Sequence, residues 1–147
     1  AYCKWLSRET GLAYRLPSEA EWEKAARGHT GCLWPWGNEW DAQKCNCLES
    51  SEAFRSTTPV GMYPHGASPF GVLDMVGNVW EWTSSLYQTY PYDSQDGREE
   101  PASPGLRVLR GGSWYNNRFV ARCAYRDRLV PGYFNLSIGF RLLLSPK

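Results

Sequence analysis

The stretch GVLDMVGNVWEWTSS, residues 71 to 85, decides how this chain can fold. After Gly77 it alternates. Val79, Glu81 and Thr83 fall to one side and Trp80 and Trp82 to the other, the period-two pattern of a β-strand with one wet face. Upstream, RLPSEAEWEKAARG reads as a short helix. Ser18 stands as N-cap with Glu21 three residues on, a capping box; Ala20, Ala25 and Ala26 favour the helix, Trp22 takes its buried side, and Gly28 ends it. Further back, Ala1, Trp5 and Leu6 have helical spacing and Gly11 looks like a C-cap with no matching N-cap before it. The opening therefore reads as the middle of something longer, and the lack of a targeting signal carries little weight.

Between the helices and the strand, from His29 to Phe70, periodicity vanishes. CLWPWGNEWD and TTPVGMYPHGASPFG are turn-rich, with one short strand expected at Pro59 to Met62. Downstream, residues 88 to 105 are polar and rich in Pro and Gly, an exposed loop. LRVLRGGSW then reads as a strand with a kink at Gly111-Gly112, and IGFRLLL as a closing strand. The class is α+β: two helices followed by a loop-dominated antiparallel β part, in a single domain over 1–147.

Sixteen basic residues against fifteen acidic leave no net field to draw nucleic acid or a membrane surface. No run of eighteen apolar residues exists to span a bilayer. Five cysteines, Cys3, Cys32, Cys45, Cys47 and Cys123, are an odd number without CxxC spacing, which favours free thiols and a cytoplasmic setting with room for one bridge; surface display needs an upstream signal. Eight tryptophans and nine tyrosines beside fourteen glycines and ten prolines indicate a loop-rich fold with an aromatic core.

His29 and His65 sit in loop segments as surface histidines, too few for zinc or for nucleophilic catalysis. Glu99-Glu100 is a solvated pair, and Gly111-Gly112 is a strand kink rather than a phosphate loop. A hard-cation site is the stronger candidate, because Asp74 and Glu81 bracket Gly77 and Val79, and two carboxylates with loop carbonyls suit calcium. The plain alternative has Asp74 capping a turn and Glu81 pairing with an arginine. Arg110, Arg118, Arg122, Arg126, Arg128 and Arg141 read as scaffold, planar forks that stitch loops to carbonyls and π faces. One question stays open at this level. In RLVPGYFNLSIGFR, Tyr133, Phe134 and Leu136 lie between the Pro131-Gly132 turn and the apolar run from Ile138, and they either fold back into the core or are displayed.

Four motifs in order, AYCKWLSRETGLAYRLPSEAEWEKAARG, GVLDMVGNVWEWTSS, RVLRGGSW and IGFR, resemble the formylglycine-generating-enzyme (sulfatase-modifying-factor) family and cover nearly the whole chain. The resemblance implies a C-type-lectin-like fold with little regular secondary structure and an N-terminal part of the domain that lies upstream. The family's enzymes carry two copper-binding cysteines shortly after RGGS. Here Tyr115 to Ala121 offer none, and Cys123 matches a structural cysteine beyond the pair. Without two thiolates neither copper nor formylglycine chemistry is expected. Iron is not expected either, since the related sulfoxide synthases hold it with a domain absent from this chain. The resemblance further implies calcium at Asp74, Gly77, Val79 and Glu81, and a second calcium site at Asn46, Cys47, Glu52 and Phe54, whose loop is shortened and whose Glu52 replaces the usual aspartate.

The same motifs recur in the variable proteins of diversity-generating retroelements, where adenine-directed errors rewrite Asn codons near the 3′ end of the gene. Such rewriting cannot produce Trp, Met, Gln, Lys or Glu. These types make up 27 of the 147 residues, and none occurs from Tyr115 through Arg141. The resemblance thus implies a non-catalytic binding domain whose segment 113–141 carries variable residues at Tyr115, Asn116, Asn117, Phe119, Val120, Asp127, Leu129, Val130, Tyr133, Phe134, Asn135, Leu136 and Ser137, with Gly132 free to vary as well. Large rigid aromatics with small polar neighbours suit a paratope-like surface. The expected partner is a protein or surface ligand, with Trp114 and the fixed arginines holding the patch rigid. Two other readings remain: an oxidative modifying enzyme with displaced ligands, and a calcium-stabilised accessory domain of a larger protein.

Overall fold

The computed structural model describes residues 1–52 and 54–145. Helix α1, Tyr2–Thr10, starts from Ala1 without a side-chain cap and stops at Gly11, whose positive φ of 69° lets its N–H reach back to the Ser7 carbonyl. Strand β1, Tyr14–Arg15, follows. Helix α2, Glu19–Arg27, carries the full capping box: the Ser18 hydroxyl accepts from the Glu21 N–H, and the Glu21 carboxylate accepts from the Ser18 N–H. Its inward stripe is Trp22 and Ala26, both fully buried, together with the buried Glu19.

Four strands make the main sheet, in the order β4 (Arg126–Leu129), β3 (Arg107–Arg110), β2 (Trp80–Leu86), β5 (Ile138–Gly139). Strands β2, β3 and β4 run antiparallel, with Glu81 opposite Arg110 and Arg110 opposite Arg126. Strand β6, Leu143–Leu144, pairs with β1 as a separate two-stranded sheet. Behind the main sheet, Trp22, Ala26, Trp34, Met75, Val76 and Cys123 form the core, with Trp36 and Trp40 packed at its margin. The large aromatics compensate for the short elements, since one fully buried apolar side chain contributes about 1.5–3 kcal/mol.

Several expectations are corrected. Pro59 to Met62 is a turn closed by the Met62 N–H on the Pro59 carbonyl, not a strand. Strand β2 has no wet face, because α2 and the 88–105 loop cover its polar side and bury Glu81, Thr83 and Ser85. The β part is not wholly antiparallel. IGFRLLL divides into β5, which lies parallel to β2, and β6, which joins the other sheet. Strand β4 has no sequence signal, since RDRL alternates charge rather than apolarity. The 88–105 loop is exposed along most of its length but buries Arg98 under an Asp96 ion pair at 2.6 Å and the carbonyls of Thr89 and Pro91. His65 belongs to a single 3-10 turn, Pro64–Gly66.

Candidate ligand-binding surface and cation site

The segment from Ser113 to Arg141 is nailed down by arginines. Arg110 is fully buried on β3. It donates to the carbonyls of Cys123 (2.9 Å) and Tyr125 (3.2 Å), pairs with Glu23, and its Nε lies 3.1 Å from Glu19 Oε1 without the alignment of a hydrogen bond. Arg126 on β4 also grips Glu19, with two nitrogens on its two carboxylate oxygens, and lies 4.4 Å from both the Tyr87 and Tyr90 rings. Burial pushes the Glu23 carboxyl up, yet Arg110 and Arg27 outweigh it and hold the group below the ordinary carboxylate range. At the far end, Arg141 forks onto Glu81. Burial disfavours its charge and Glu81 more than restores it, so its pKa is raised.

Between these anchors the loop 130–137 runs from edge strand β4 to the opposite edge, β5. Val130, Pro131, Gly132 and Tyr133 form a turn closed by the Tyr133 N–H on the Val130 carbonyl, with Gly132 at φ 92°. Pro then Gly at the two central places is the type II pattern. Beyond it Phe134 and Leu136 are each 87 % exposed, and Tyr133, Val130, Phe119 and Tyr115 are exposed as well. The open question is settled toward display, because the loop contains no interior into which these side chains could turn.

Of the other expected positions, Asn117, Asp127 and Asn135 are exposed, while Asn116, Val120 and Leu129 are half-buried. Asn116 is a structural turn residue: its side-chain oxygen accepts from the Ser113 N–H and hydroxyl. Ser137 is not displayed. It is 3 % exposed, its hydroxyl donates to Asn135 Oδ1, and its carbonyl accepts the Trp80 N–H. Gly132 has a positive φ of 92°, which favours glycine at this turn position. Two exposed members went unforeseen, Ala124 and Tyr125, because the Arg-Cys-Ala-Tyr-Arg framing reads as scaffold. Beside Ala124 lies an open cleft of about 540 Å³ walled by Glu19, Glu23, Tyr90 and Tyr92. Trp114 meets Tyr115 edge-on at 5.3 Å and supports that end of the surface.

The two calcium sets behave differently. In the first, both Glu81 oxygens are engaged by Arg141, and Trp22 Nε1 donates to one of them at 2.6 Å. Asp74 Oδ2 accepts the Gly61 N–H at 2.7 Å, with Asp74 at φ 56°. The Arg141 guanidinium thus occupies the Glu81 carboxylate and the Asp74 carbonyl, and a cation placed on Glu81 would face that charge; with Glu81 so engaged the set does not fit calcium as it stands. In the second, Asn46 is 2 % exposed and its Oδ1 is buried without a hydrogen-bond partner, an oxygen left available for a hard cation. Its Nδ2 donates to the Ser56 carbonyl at 2.8 Å, which fixes the amide's orientation. Glu52 and Phe54 are exposed on the adjoining loop. This set fits. Among the described residues no three His, Cys, Asp or Glu side chains gather as a metal cluster, so such a site would rely on amide and backbone oxygens.

Cys123, the lone cysteine after the RGGS motif, is fully buried, and burial pushes its thiol up to about 12, far from reactive. All five cysteines are free. Among the described residues no helix is long and apolar enough to cross a membrane.

A kinked, arginine-braced α+β scaffold of this form is the formylglycine-generating-enzyme-like fold, in which little regular structure supports long surface segments. The chain belongs to the family of the sulfatase-modifying factor enzyme 1-like domain, whose model matches residues 1–146. It is 41 % identical over 146 residues to the serine/threonine-protein kinase Pkn1 of Chlamydia trachomatis, covering 96 % of this chain and 22 % of the kinase. It is 36 % identical over 159 residues to the inactive C-alpha-formylglycine-generating enzyme 2 of Mus musculus, covering 99 % of this chain and 46 % of that protein. Among solved structures it resembles Treponema denticola variable protein 1, with a TM-score of 0.75 and 32 % identity over 92 % of this chain and 49 % of the other. The chain therefore spans about a fifth to a half of the length of these three proteins.

Proposed function

We propose that this domain is a non-catalytic binding module whose segment 113–141 is the ligand-binding surface, diversified by a retroelement. The observation that carries the reading is the placement of Phe134 and Leu136, each 87 % exposed, on a loop braced on either side by the ion pairs of Arg126 with Glu19 and Arg141 with Glu81. Large apolar groups held rigid in water lose little entropy on binding, which is what a recognition surface needs. Likeness to a variable protein and to an inactive enzyme supports it. The partner is a protein surface, with neither nucleic acid nor membrane insertion involved. Five free thiols support a reducing compartment as its location.

The test is sequencing of codons 113 to 141 across a population of the source organism. Expected are substitutions confined to adenine-derived positions at the exposed sites, with Gly132, Arg122, Arg126 and IGFR constant. A uniform sequence overturns diversification.

Two further readings have their own support. Calcium held by the Asn46 side chain with the Cys47 and Phe54 carbonyls and Glu52 would brace the loop beneath Asn116, since the Leu48 N–H donates to the Asn116 carbonyl. The small share of the kinase covered supports an accessory role within a larger protein. The enzymatic reading that the family description suggests requires copper-dependent oxygen consumption with a cysteine-containing peptide, and inertness in that assay removes it.

A further inference from the structure

We propose that the open cleft beside Ala124 takes an acidic side chain of the protein bound by segment 113–141, an inference that rests on the binding role of that segment. At about 540 Å³ the cleft has the size of a ligand pocket. Helix α2 supplies one wall through Glu19, Glu23, Lys24 and Arg27, and Tyr90 and Tyr92 supply the other. The exposed Ala124 belongs both to the cleft and to the display segment. Arg126 of the same segment lies 4.4 Å from the Tyr90 ring, so cleft and segment form one continuous surface.

Two glutamates on one wall suggest a site for a cation, but every one of their oxygens is taken. Arg126 holds both Glu19 oxygens, while Arg27 holds one Glu23 oxygen at 2.6 Å and Arg110 the other. Arg27 also covers the carbonyls of Gly31 at 2.5 Å and Cys32 at 3.2 Å, acceptors just past the end of α2. Off the wall, Glu99 is occupied by the hydroxyls of Tyr92 and Ser85. A cationic ligand would therefore meet three arginines and find no carboxylate free to receive it.

The side-chain groups left open are donors. The Lys24 ammonium lies 2.8 Å from His29 Nδ1. An ammonium only donates, so Nδ1 accepts and the neutral ring carries its proton on Nε2, a second donor. The Tyr90 hydroxyl accepts from Arg110 Nη2 at 3.4 Å and, among the described residues, donates to none. Phe70 seats the first two groups: its ring centre is 6.0 Å from Lys24 Nζ, and it meets the His29 ring edge-on at 5.5 Å. Lys24, His29 and Tyr90 are all exposed, so a carboxylate can reach them while its apolar stem rests against the tyrosine rings. Donors already held in place leave little ordering for the ligand to bring about, and hydrogen bonds to a carboxylate are charge-assisted.

The test titrates the isotope-labelled chain at low salt with acetyl-Glu-Leu-Glu-amide and, separately, with acetyl-Lys-Leu-Lys-amide, following backbone amide resonances. Expected are saturable shifts at Lys24, His29, Tyr90 and Ala124 with the glutamate peptide and none with the lysine peptide. Lys24→Glu should weaken binding at least about tenfold, because it sets a like charge against the ligand. Tyr90→Phe, which removes one oxygen, should weaken it several-fold and decides the matter if Lys24→Glu does not fold. Lys4→Glu, the same charge change at an exposed position on α1, should leave affinity as it was. No saturation with the glutamate peptide, equal shifts from the lysine peptide, or an equal loss in Lys4→Glu overturns the proposal. Codon sequencing is read independently. Diversified codons without glutamate-peptide binding remove the cleft alone, whereas uniform codons with Lys24-dependent binding remove diversification and leave the cleft standing.

Discussion

Arg141 holds Glu81 with two parallel contacts, Nε to Oε2 at 2.5 Å and Nη2 to Oε1 at 2.6 Å, and the same Nη2 donates to the carbonyls of Leu73 and Asp74 at 3.1 Å. One side chain thereby joins the end of the display segment, the 71–78 loop and strand β2, and Trp22 adds helix α2 through Glu81. Arg141→Ala leaves a buried carboxylate without its cation and should cost about 3–5 kcal/mol, read as a lowered urea midpoint. Arg141→Lys should recover only part of this, because an ammonium cannot make the two-point contact. A wild-type midpoint in Arg141→Ala would show the pair to be dispensable.

The displayed apolar side chains should contribute little to stability. Phe134→Ala and Leu136→Ala should shift unfolding free energy by no more than about 0.5 kcal/mol. Trp22→Ala, which empties the core and removes a donor to Glu81, should cost about 3–5 kcal/mol. Chemical denaturation of the three variants checks both; a full kilocalorie lost in Phe134→Ala would mean that the side chain packs rather than displays.

Gly77 marks a close backbone approach near the site. A Cβ there would lie 2.3 Å from the Asn46 carbonyl oxygen, and its φ of 77° already disfavours any other residue. Gly77→Ala should destabilise by more than the roughly 1–2 kcal/mol expected from backbone strain alone, whereas Gly71→Ala, with nothing within 4 Å, should cost only the strain. Comparing the two thermal midpoints separates collision from φ.

Acid should unfold the domain through its paired glutamates. The Arg15 guanidinium, with help from the Ser18 N–H, holds Glu21 down to about 2 from its ordinary 4.5, and Glu23 is also lowered. A depressed folded-state pKa contributes stability that is complete above the unfolded value and lost as pH falls through the folded one. Stability should therefore be flat above about pH 5 and decline between 4.5 and 2. Glu21→Gln should flatten part of that decline while keeping the amide at the helix cap. The Arg15–Glu21 pair is more than a third exposed, so added salt should weaken its share. Urea midpoints across pH, with and without salt, give the measurement.

If the Asn46 set takes calcium, millimolar calcium should raise the thermal midpoint and EGTA should return it. Asn46→Ala should abolish the shift, and Asp74→Ala should leave it intact, because Asp74 belongs to the set closed by Arg141. A calcium response that survives Asn46→Ala but not Asp74→Ala reverses this assignment.

Local signals were legible wherever one short stretch decides the outcome. The capping box at Ser18 and Glu21, the glycine stops at Gly11 and Gly28, the burial of Trp22 and the kink at Gly111-Gly112 depend on neighbours a few residues apart, so periodicity and turn chemistry reveal them. The family motifs do the same for the class of fold, because each pairs a turn residue with the apolar group it positions.

Tertiary structure decided what depends on partners far along the chain. Whether the polar face of β2 meets water was settled by α2 and by Glu99, which takes the Ser85 hydroxyl. Strand β4 exists because Arg126 reaches Glu19, 107 residues away, and not because RDRL favours a strand. The same cause separates the two cation sets. Asp74 and Glu81 look like ligands in sequence, and only folding brings Arg141 between them. Asn46, with the weaker sequence pattern, is left holding the buried unpaired oxygen. Charge and hydrogen-bond balance at a site is a sum over every group packed there, and that sum is formed only when the chain closes.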